Sequence, residues 1–404
     1  MLNIKEINSA YKRVRGIVHH TPLAHAPILS EKSGYEIYLK KENLQKTGAF
    51  KLRGAFNAIA SLVEEDNDIK GIVAASAGNH AQGVAFSAKH FGINATIVMP
   101  ESTPLTKTQG VKEFGAKVIL SGVNYDEAYA YAIKYAKSKN YDFVHPFEDD
   151  KVMAGQATVA LEILEDIDKL DAIIVPVGGG GLISGIATAI KSLKPNIKII
   201  GVASAGAPAM KQSFDKKTPI DSISVRTIAD GIAVRDTSPI TLKHILKDVD
   251  NIELVNEDEI AHAILFLLEK QKILVEGAGA VGVAGLLSGK IKLPSNSKIA
   301  VVLSGGNIDV TMLSLIIEKG LMKSNRKMKL RVTLVDKPGS LMLFTNILTK
   351  VGANIVKIGY DRTSTDLKFG DANVSVSLET KGENHQKEII NTLVDNEFSF
   401  KQEY

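Results

Sequence analysis

The chain has no cysteine in 404 residues. That excludes disulfides, thiolate catalysis and cysteine-ligated metals, and it suits a cytoplasmic protein. It also lacks any apolar run near the roughly 18 residues that a bilayer-crossing helix needs. The opening stretch, MLNIKEINSAYKRVRG, has no apolar segment of the kind a secretory signal carries. Neither sign of charge dominates: 49 basic and 45 acidic residues leave a net charge of +4. The basic residues are dispersed, so neither nucleic acid nor a membrane is expected as a partner. What remains is the balance of a soluble globular protein, 45% hydrophobic and 23% charged, long enough for two or three domains.

Strand-like runs alternate with helical stretches. IVAAS (72–76), ATIVMP (95–100), KVILSG (117–122), AIIVPV (172–177), IKIIGVAS (197–204) and KIAVVLS (298–304) are each short and mostly apolar, without strict alternation. Such strands joined by helices predict an α/β fold of parallel sheet covered on both faces. In such sheets ligands bind beyond the carboxyl ends of the strands. The pattern changes after Gly320. LMKSNRKMK is basic and aperiodic and reads as a linker over 321–328, dividing a first domain, 1–320, from a second, 329–404. The second reads strand, helix, strand, strand, helix, strand, the order of a ferredoxin-like domain.

Five stretches carry candidate chemistry. In KTGAFKLRGAF (46–56), Leu52, Ala55, Phe56, Ile59 and Ala60 recur with helical spacing after Lys51. Lys51 therefore falls in a first helical turn, where the helix dipole disfavours a cation. Burial beside Phe50 acts in the same direction, and a neutral amine is a nucleophile. The alternative is an ordinary surface lysine beside Lys40, Lys41 and Lys46. In SAGNHAQG (76–83), Ser76 ends a strand and Asn79 opens a helix, so the backbone N–H groups can hold an anion; a plain turn capped by Asn79 is the rival reading, and His80 reads as a packed or surface histidine. GGGGLISG (178–185) sets four consecutive glycines between strand and helix, which lets the backbone wrap a phosphate. No lysine follows as in a nucleoside triphosphate loop. GAGAVG (277–282) fits G-x-G-x-x-G by letter, yet no acid ends the next strand, so it reads as a close backbone turn. Glu276 before it is either a cation ligand or a cap. In SGGNID (304–309), Ser304 either meets a ligand heteroatom or caps a helix.

Taken together in this order, HHTPL, KTGAFKLRGA, SAGNH, the tetraglycine loop and SGGN resemble the fold-type II pyridoxal-phosphate enzymes over about three-quarters of the chain. Within that group the chain is similar to the threonine dehydratases (threonine ammonia-lyases), which also act on serine. The resemblance implies two open parallel-sheet subdomains and pyridoxal 5'-phosphate as cofactor. It implies that Lys51 carries the cofactor covalently and then serves as base, with Phe50 against the ring. Asn79 would bond the ring's 3' oxygen, and Ser304 would face the pyridine nitrogen. Gly178, Gly179, Gly180 and Gly181, with Leu182, would bind the phosphate. Ser76, Ala77, Gly78, Asn79 and His80 would hold the substrate carboxylate. Serine racemases of the same group carry a serine where Ala77 stands here, which favours the dehydratase over the racemase. One departure is that VASAG (202–206) lacks a glutamate found there in many relatives. The C-terminal segment resembles an ACT regulatory domain, implying a homodimer or homotetramer and an effector, either isoleucine or valine or an adenine nucleotide. Its turns, DKPGSL and VGANI, would supply Asp336, Pro338, Gly339, Ser340, Leu341, Asn354 and Ile355 to that effector.

Overall fold

Runs of valine, isoleucine and alanine make the strands of the first part of the chain. They are β1 (Leu23–His25), β2 (Glu36–Lys40), β3 (Ile72–Ala75), β4 (Ala95–Met99), β5 (Lys117–Leu120), β6 (Asp142–Phe143), β7 (Ala172–Pro176), β8 (Lys198–Ser204), β9 (Asn251–Val255) and β10 (Lys298–Val302). The computed structural model describes residues 1–66, 68–365 and 367–403. Tyr404, the last residue of the predicted final strand, lies outside the described residues. The strands form two sheets, one of six in the order β1-β2-β10-β7-β8-β9 and one of four in the order β5-β4-β3-β6. Every pairing is parallel except that of β1 with β2. All residues of β3, β4 and β7 are buried, as strands covered on both faces must be.

Helices supply the cover. Ala55 and Ile59 of the helix Lys51–Glu65, and Ala81 and Val84 of the helix Asn79–His90, close over Ile72, Ala74 and Ile97 of the smaller sheet. Ile183, Ile186 and Ile190 of the helix Gly181–Leu193 pack on Ile173, Val175 and Ile199 of the larger one. Each such side chain contributes on the order of 1.5–3 kcal/mol by leaving water. Local signals fix the ends: Asp149 accepts from the N–H groups of Lys151 and Val152 to start the helix Asp150–Asp166, and Asn140, at φ 54, stops the helix Tyr125–Lys139.

The described chain separates into two compact units, 1–309 and 310–404. The second opens with the helix Val310–Lys323 and continues with β11 (Lys327–Val335), the helix Ser340–Lys350, β12 (Asn354–Asp361), β13 (Asp371–Glu379), the helix Glu383–Asp395 and β14 (Ser399–Glu403). Its antiparallel sheet runs β12-β13-β11-β14 around Leu330, Val332, Phe344, Val376 and Ile389. The stretch 321–328, expected to be a linker, is the end of one helix and the start of β11. Leu321 and Met322 extend the helix, Asn325 turns the chain at φ 54, and the buried alternation of β11 begins at Met328. Likewise 277–282, expected to be a turn, is the start of the buried helix Gly277–Leu287. Its glycines permit close packing, since a Cβ on Gly279 would lie 2.5 Å from the Gly305 carbonyl. No helix among the described residues is long and apolar enough to cross a membrane.

Candidate active site

Lys51 is the first residue of its helix, and Phe50, at the N-cap, gives it no side-chain cap. The loop before it is tied to the end of β10. The Phe50 N–H donates to the Ser304 carbonyl at 3.0 Å, and Ala49 bridges to Gly305. Two stretches some 250 residues apart in sequence are thereby held side by side. The Lys51 Nζ donates to the Pro146 carbonyl at 3.0 Å and sits 5.4 Å from the centre of the Phe50 ring. Burial pushes the lysine down to about 8, against the pull of the Glu276 carboxylate. The neutral fraction near neutral pH is thereby raised well above that of an ordinary lysine, which favours an amine acting as base or nucleophile.

Lys51 opens into a cleft of about 550 Å³. Phe50, Ser76, Ala77, Gly78, Asn79, His80, Gly178, Gly179, Gly180, Gly181, Leu182, Glu276 and Ser304, all singled out from the sequence, line the same cleft. At its floor the tetraglycine loop leads into the helix Gly181–Leu193, whose first turn has no side-chain cap. Those N–H groups are free to meet an anion. Space there demands glycine: a Cβ on Gly178 would lie 2.7 Å from Ile232 Cα, and one on Gly179 would lie 2.6 Å from the Phe147 ring. Gly180 adds a φ of 88, with Thr241 Oγ1 2.9 Å from where a Cβ would stand. Gly180→Ala is expected to strain the loop by about 1–2 kcal/mol and to weaken binding of a phosphorylated cofactor about tenfold. Titrating the apoprotein and following cofactor absorbance checks this.

The Asn79 amide, which lines the same cleft, is held from both sides. Its Nδ2 donates to both Glu276 oxygens, at 2.8 and 3.0 Å, and its Oδ1 accepts from Asn307 Nδ2 at 2.8 Å. Asn307 also donates to the Thr47 carbonyl at 2.8 Å. Glu276 stands at an N-cap position without capping. Burial raises its carboxyl to about 7, the Asn79 bond acting against the rise. Among the described residues, no group of three or more His, Asp or Glu is arranged to hold a metal ion. His80 donates Nε2–H to the Val144 carbonyl at 3.0 Å. Burial pushes it down to about 3, so the ring is neutral. Its Nδ1 is buried without a partner.

Two ion pairs cross the mouth, Lys107 to Asp230 and Arg235 to Asp126, each at 2.8 Å. These residues, with Asn307, Pro146 and Phe147, were not singled out from the sequence. Asn307 alone had a visible cue, as the polar residue ending the glycine pair of SGGN. The others belong to no motif: Lys107 and Asp126 lie in the first turns of the helices Leu105–Glu113 and Tyr125–Lys139, and the rest fall between the longer elements.

The seven residues expected to meet an effector lie in the second unit, but not together. Asp336, Pro338, Gly339, Ser340 and Leu341 follow β11, where Asp336 accepts from the Tyr360 hydroxyl at 2.9 Å. Asn354 and Ile355 begin β12, and Asn354 Nδ2 donates to Glu379 at 2.7 Å. Since Val335 pairs with Asp371, and Asn354 with Glu379, the two turns sit at opposite ends of β13.

Comparison with known proteins agrees with this geometry. The model of the family "Pyridoxal-phosphate dependent enzyme" matches residues 14–305. An L-threonine ammonia-lyase of Thermotoga maritima is 48% identical over 394 residues, covering 98% of each chain. Among solved structures, threonine deaminase isoform 2 of Solanum lycopersicum superposes with a TM-score of 0.73 at 36% identity, covering 78% of this chain and 88% of that one. Maize serine racemase gives 0.75 at 36% identity, covering 80% and 99%.

Proposed function

The chain belongs to the pyridoxal-phosphate dependent enzymes, and we propose that it is a threonine ammonia-lyase, converting L-threonine to 2-oxobutyrate and ammonia and L-serine to pyruvate and ammonia. The observation that carries this reading is 48% identity with an L-threonine ammonia-lyase over nearly the whole of both chains, joined to a cleft lined by both a low-pKa amine and a glycine-rich helix terminus.

The residues fit the cofactor. The uncapped N–H groups at Gly181 and Leu182 suit its phosphate, Lys51 its aldehyde carbon, Phe50 its ring face, Asn79 its phenolic oxygen and Ser304 its pyridine nitrogen. When bound there, pyridoxal phosphate supplies the electron sink for the carbanion character that develops at the substrate Cα. The chain supplies the rest. The 76–80 loop orients the substrate carboxylate through the backbone N–H groups of Ala77, Asn79 and His80, since the Ser76 N–H goes to the Val98 carbonyl and the Gly78 N–H to the Ser76 hydroxyl. The Lys51 amine takes the Cα proton, helped by the burial that lowers its pKa. The β-hydroxyl leaves as water. The resulting enamine tautomerises and hydrolyses to the 2-oxo acid and ammonia. Ser304 is a neutral hydroxyl and would not favour a proton on the pyridine nitrogen as a carboxylate there would, which suits prompt elimination.

The likeness to serine racemase raises a second reading. Ala77 lines the cleft and cannot carry a proton, which speaks against racemisation. Purified protein given L-threonine separates the two: 2-oxobutyrate supports the lyase, whereas D-serine from L-serine without oxo acid supports the racemase.

The second unit is read as an ACT regulatory domain and the first as the catalytic domain, in a cytoplasmic homodimer or homotetramer. β12 is an edge strand with Val356 and Ile358 exposed. Pairing two such edges antiparallel about a two-fold axis would set the 336–341 turn of one copy beside Asn354 and Ile355 of the other, completing a site that one chain splits. Isoleucine or valine as inhibitor and an adenine nucleotide as activator are the effectors to test, since 2-oxobutyrate can feed isoleucine synthesis. A chain ending at Asp309 should keep turnover and lose any response to these compounds. A retained response would refute this assignment.

A further inference from the structure

Among the described residues, Glu276 is the only acidic group in the cleft wall that is buried. Asp126, Asp230 and Asp236 line the same cleft, yet their side chains are about half exposed at the mouth. Glu276 is 4% exposed and no cation is paired with it. The charged groups around it are Lys51, Lys107 and Asp230. Of these, Lys51 donates to the Pro146 carbonyl and Lys107 is taken by Asp230. Its protein donors are the amide hydrogens of Asn79, in the loop that opens the helix Asn79–His90. It lines the same cleft as Lys51 and the 76–80 loop proposed to hold the substrate carboxylate.

Elimination from threonine has two proton problems. Lys51 solves the first by taking the Cα proton. The second is the leaving hydroxyl, which departs poorly unless protonated. We infer that Glu276 is the acid that protonates the departing β-hydroxyl. The step balances within the chain and substrate. The Cα–H pair becomes the new carbon–carbon π bond, the Cβ–O bond breaks, and the Glu276 proton joins that oxygen to make water. The carboxylate left behind is held by Asn79 and regains a proton from the Lys51 ammonium, which restores both groups. A carboxyl raised by burial to about 7 is matched to this task at neutral pH.

The inference rests on the lyase reading, and its test separates the two. Glu276→Gln is compared with wild-type holoenzyme on L-threonine and on β-chloro-L-alanine, whose chloride leaves without a proton. The expected result is a loss of about 10²–10³-fold in kcat for threonine, with chloroalanine turnover retained within about threefold. Cofactor affinity and absorbance should stay near wild type. A merely structural role for Glu276, through Asn79, would lower both substrates together, and that result overturns the inference, as does equal retention of both. Should the variant fail to load cofactor, the wild-type pH profiles decide. With the base at about 8 and the acid at about 7, the kcat for threonine should peak between pH 7 and 8 and fall on the alkaline side, whereas the chloroalanine profile should rise to a plateau; parallel profiles overturn the inference. A wild type that forms no 2-oxobutyrate would instead defeat the lyase reading itself.

Discussion

Lys51→Ala should reduce 2-oxobutyrate formation from L-threonine by about 10⁴-fold or more, the upper end of what one positioned proton-transfer group supplies. Two functions go at once: the amine that holds the cofactor aldehyde and the base at Cα. No neighbour replaces it. His80 is neutral with its only ring N–H given to Val144, and Lys107 is bound to Asp230. The fold should be unaffected, because the Lys51 side chain makes one hydrogen bond, to the Pro146 carbonyl. Coupled assay of the 2-oxo acid together with thermal unfolding of the apoprotein checks both statements. An unchanged melting temperature with lost turnover is the expected pair.

Arg53→Ala should have the largest effect on stability. Two residues after Lys51, the Arg53 guanidinium lies fully buried between two carboxylates. It donates to Glu42 at 2.7 and 2.8 Å and to Glu162 at 2.6 and 2.9 Å. Lys40, also buried, reaches Glu162 at 2.8 Å and the Thr21 carbonyl at 2.6 Å, and the Thr21 hydroxyl closes the cluster on Glu42. Burial works against the charge on Arg53, but the two carboxylates outweigh it and raise its pKa. Removing Arg53 strands Glu42 and leaves Glu162 with Lys40 alone. Breaking a buried pair in this way costs about 3–5 kcal/mol, a drop in melting temperature on the order of 10 °C for a unit of this size. Arg53→Met combined with Glu42→Gln and Glu162→Gln should lose far less, since no unpaired charge stays buried. A drop of under about 1 kcal/mol for Arg53→Ala would show that the cluster does not bear on stability. The cluster also anchors the first turn of the helix that presents Lys51, so turnover should fall with it.

Much of the site was legible because its chemistry is local. The turns at 76–80, 178–181 and 304–306 each follow a short apolar strand, and that pattern alone puts them at a carboxyl end, which gives Asn79, the tetraglycine loop and Ser304. Lys51 follows instead from the helical spacing of the residues after it. What was illegible is long-range. β10 lies between β2 and β7, a placement that no periodicity encodes, and it is this placement that brings Ser304 and Gly305 to Phe50 and Ala49. β6, two residues long, and β1, three, are too short to show alternation. The letters GAGAVG had an ambiguous reading because glycines serve helix packing as well as turns, and only the approach of Gly305 to Gly279 decides which. The Glu276–Asn79–Asn307 chain joins residues about 200 apart in sequence, so only the fold reveals it. The effector residues were read as one set because turns carry no information about which end of a sheet they occupy.

The central claim is that one buried amine, Lys51, bonds covalently to pyridoxal phosphate. Holoenzyme is reduced with borohydride, digested and mapped by mass spectrometry. A single phosphopyridoxyl group on the Lys51 side chain is the predicted result. Label on any other lysine, or none, would contradict the account.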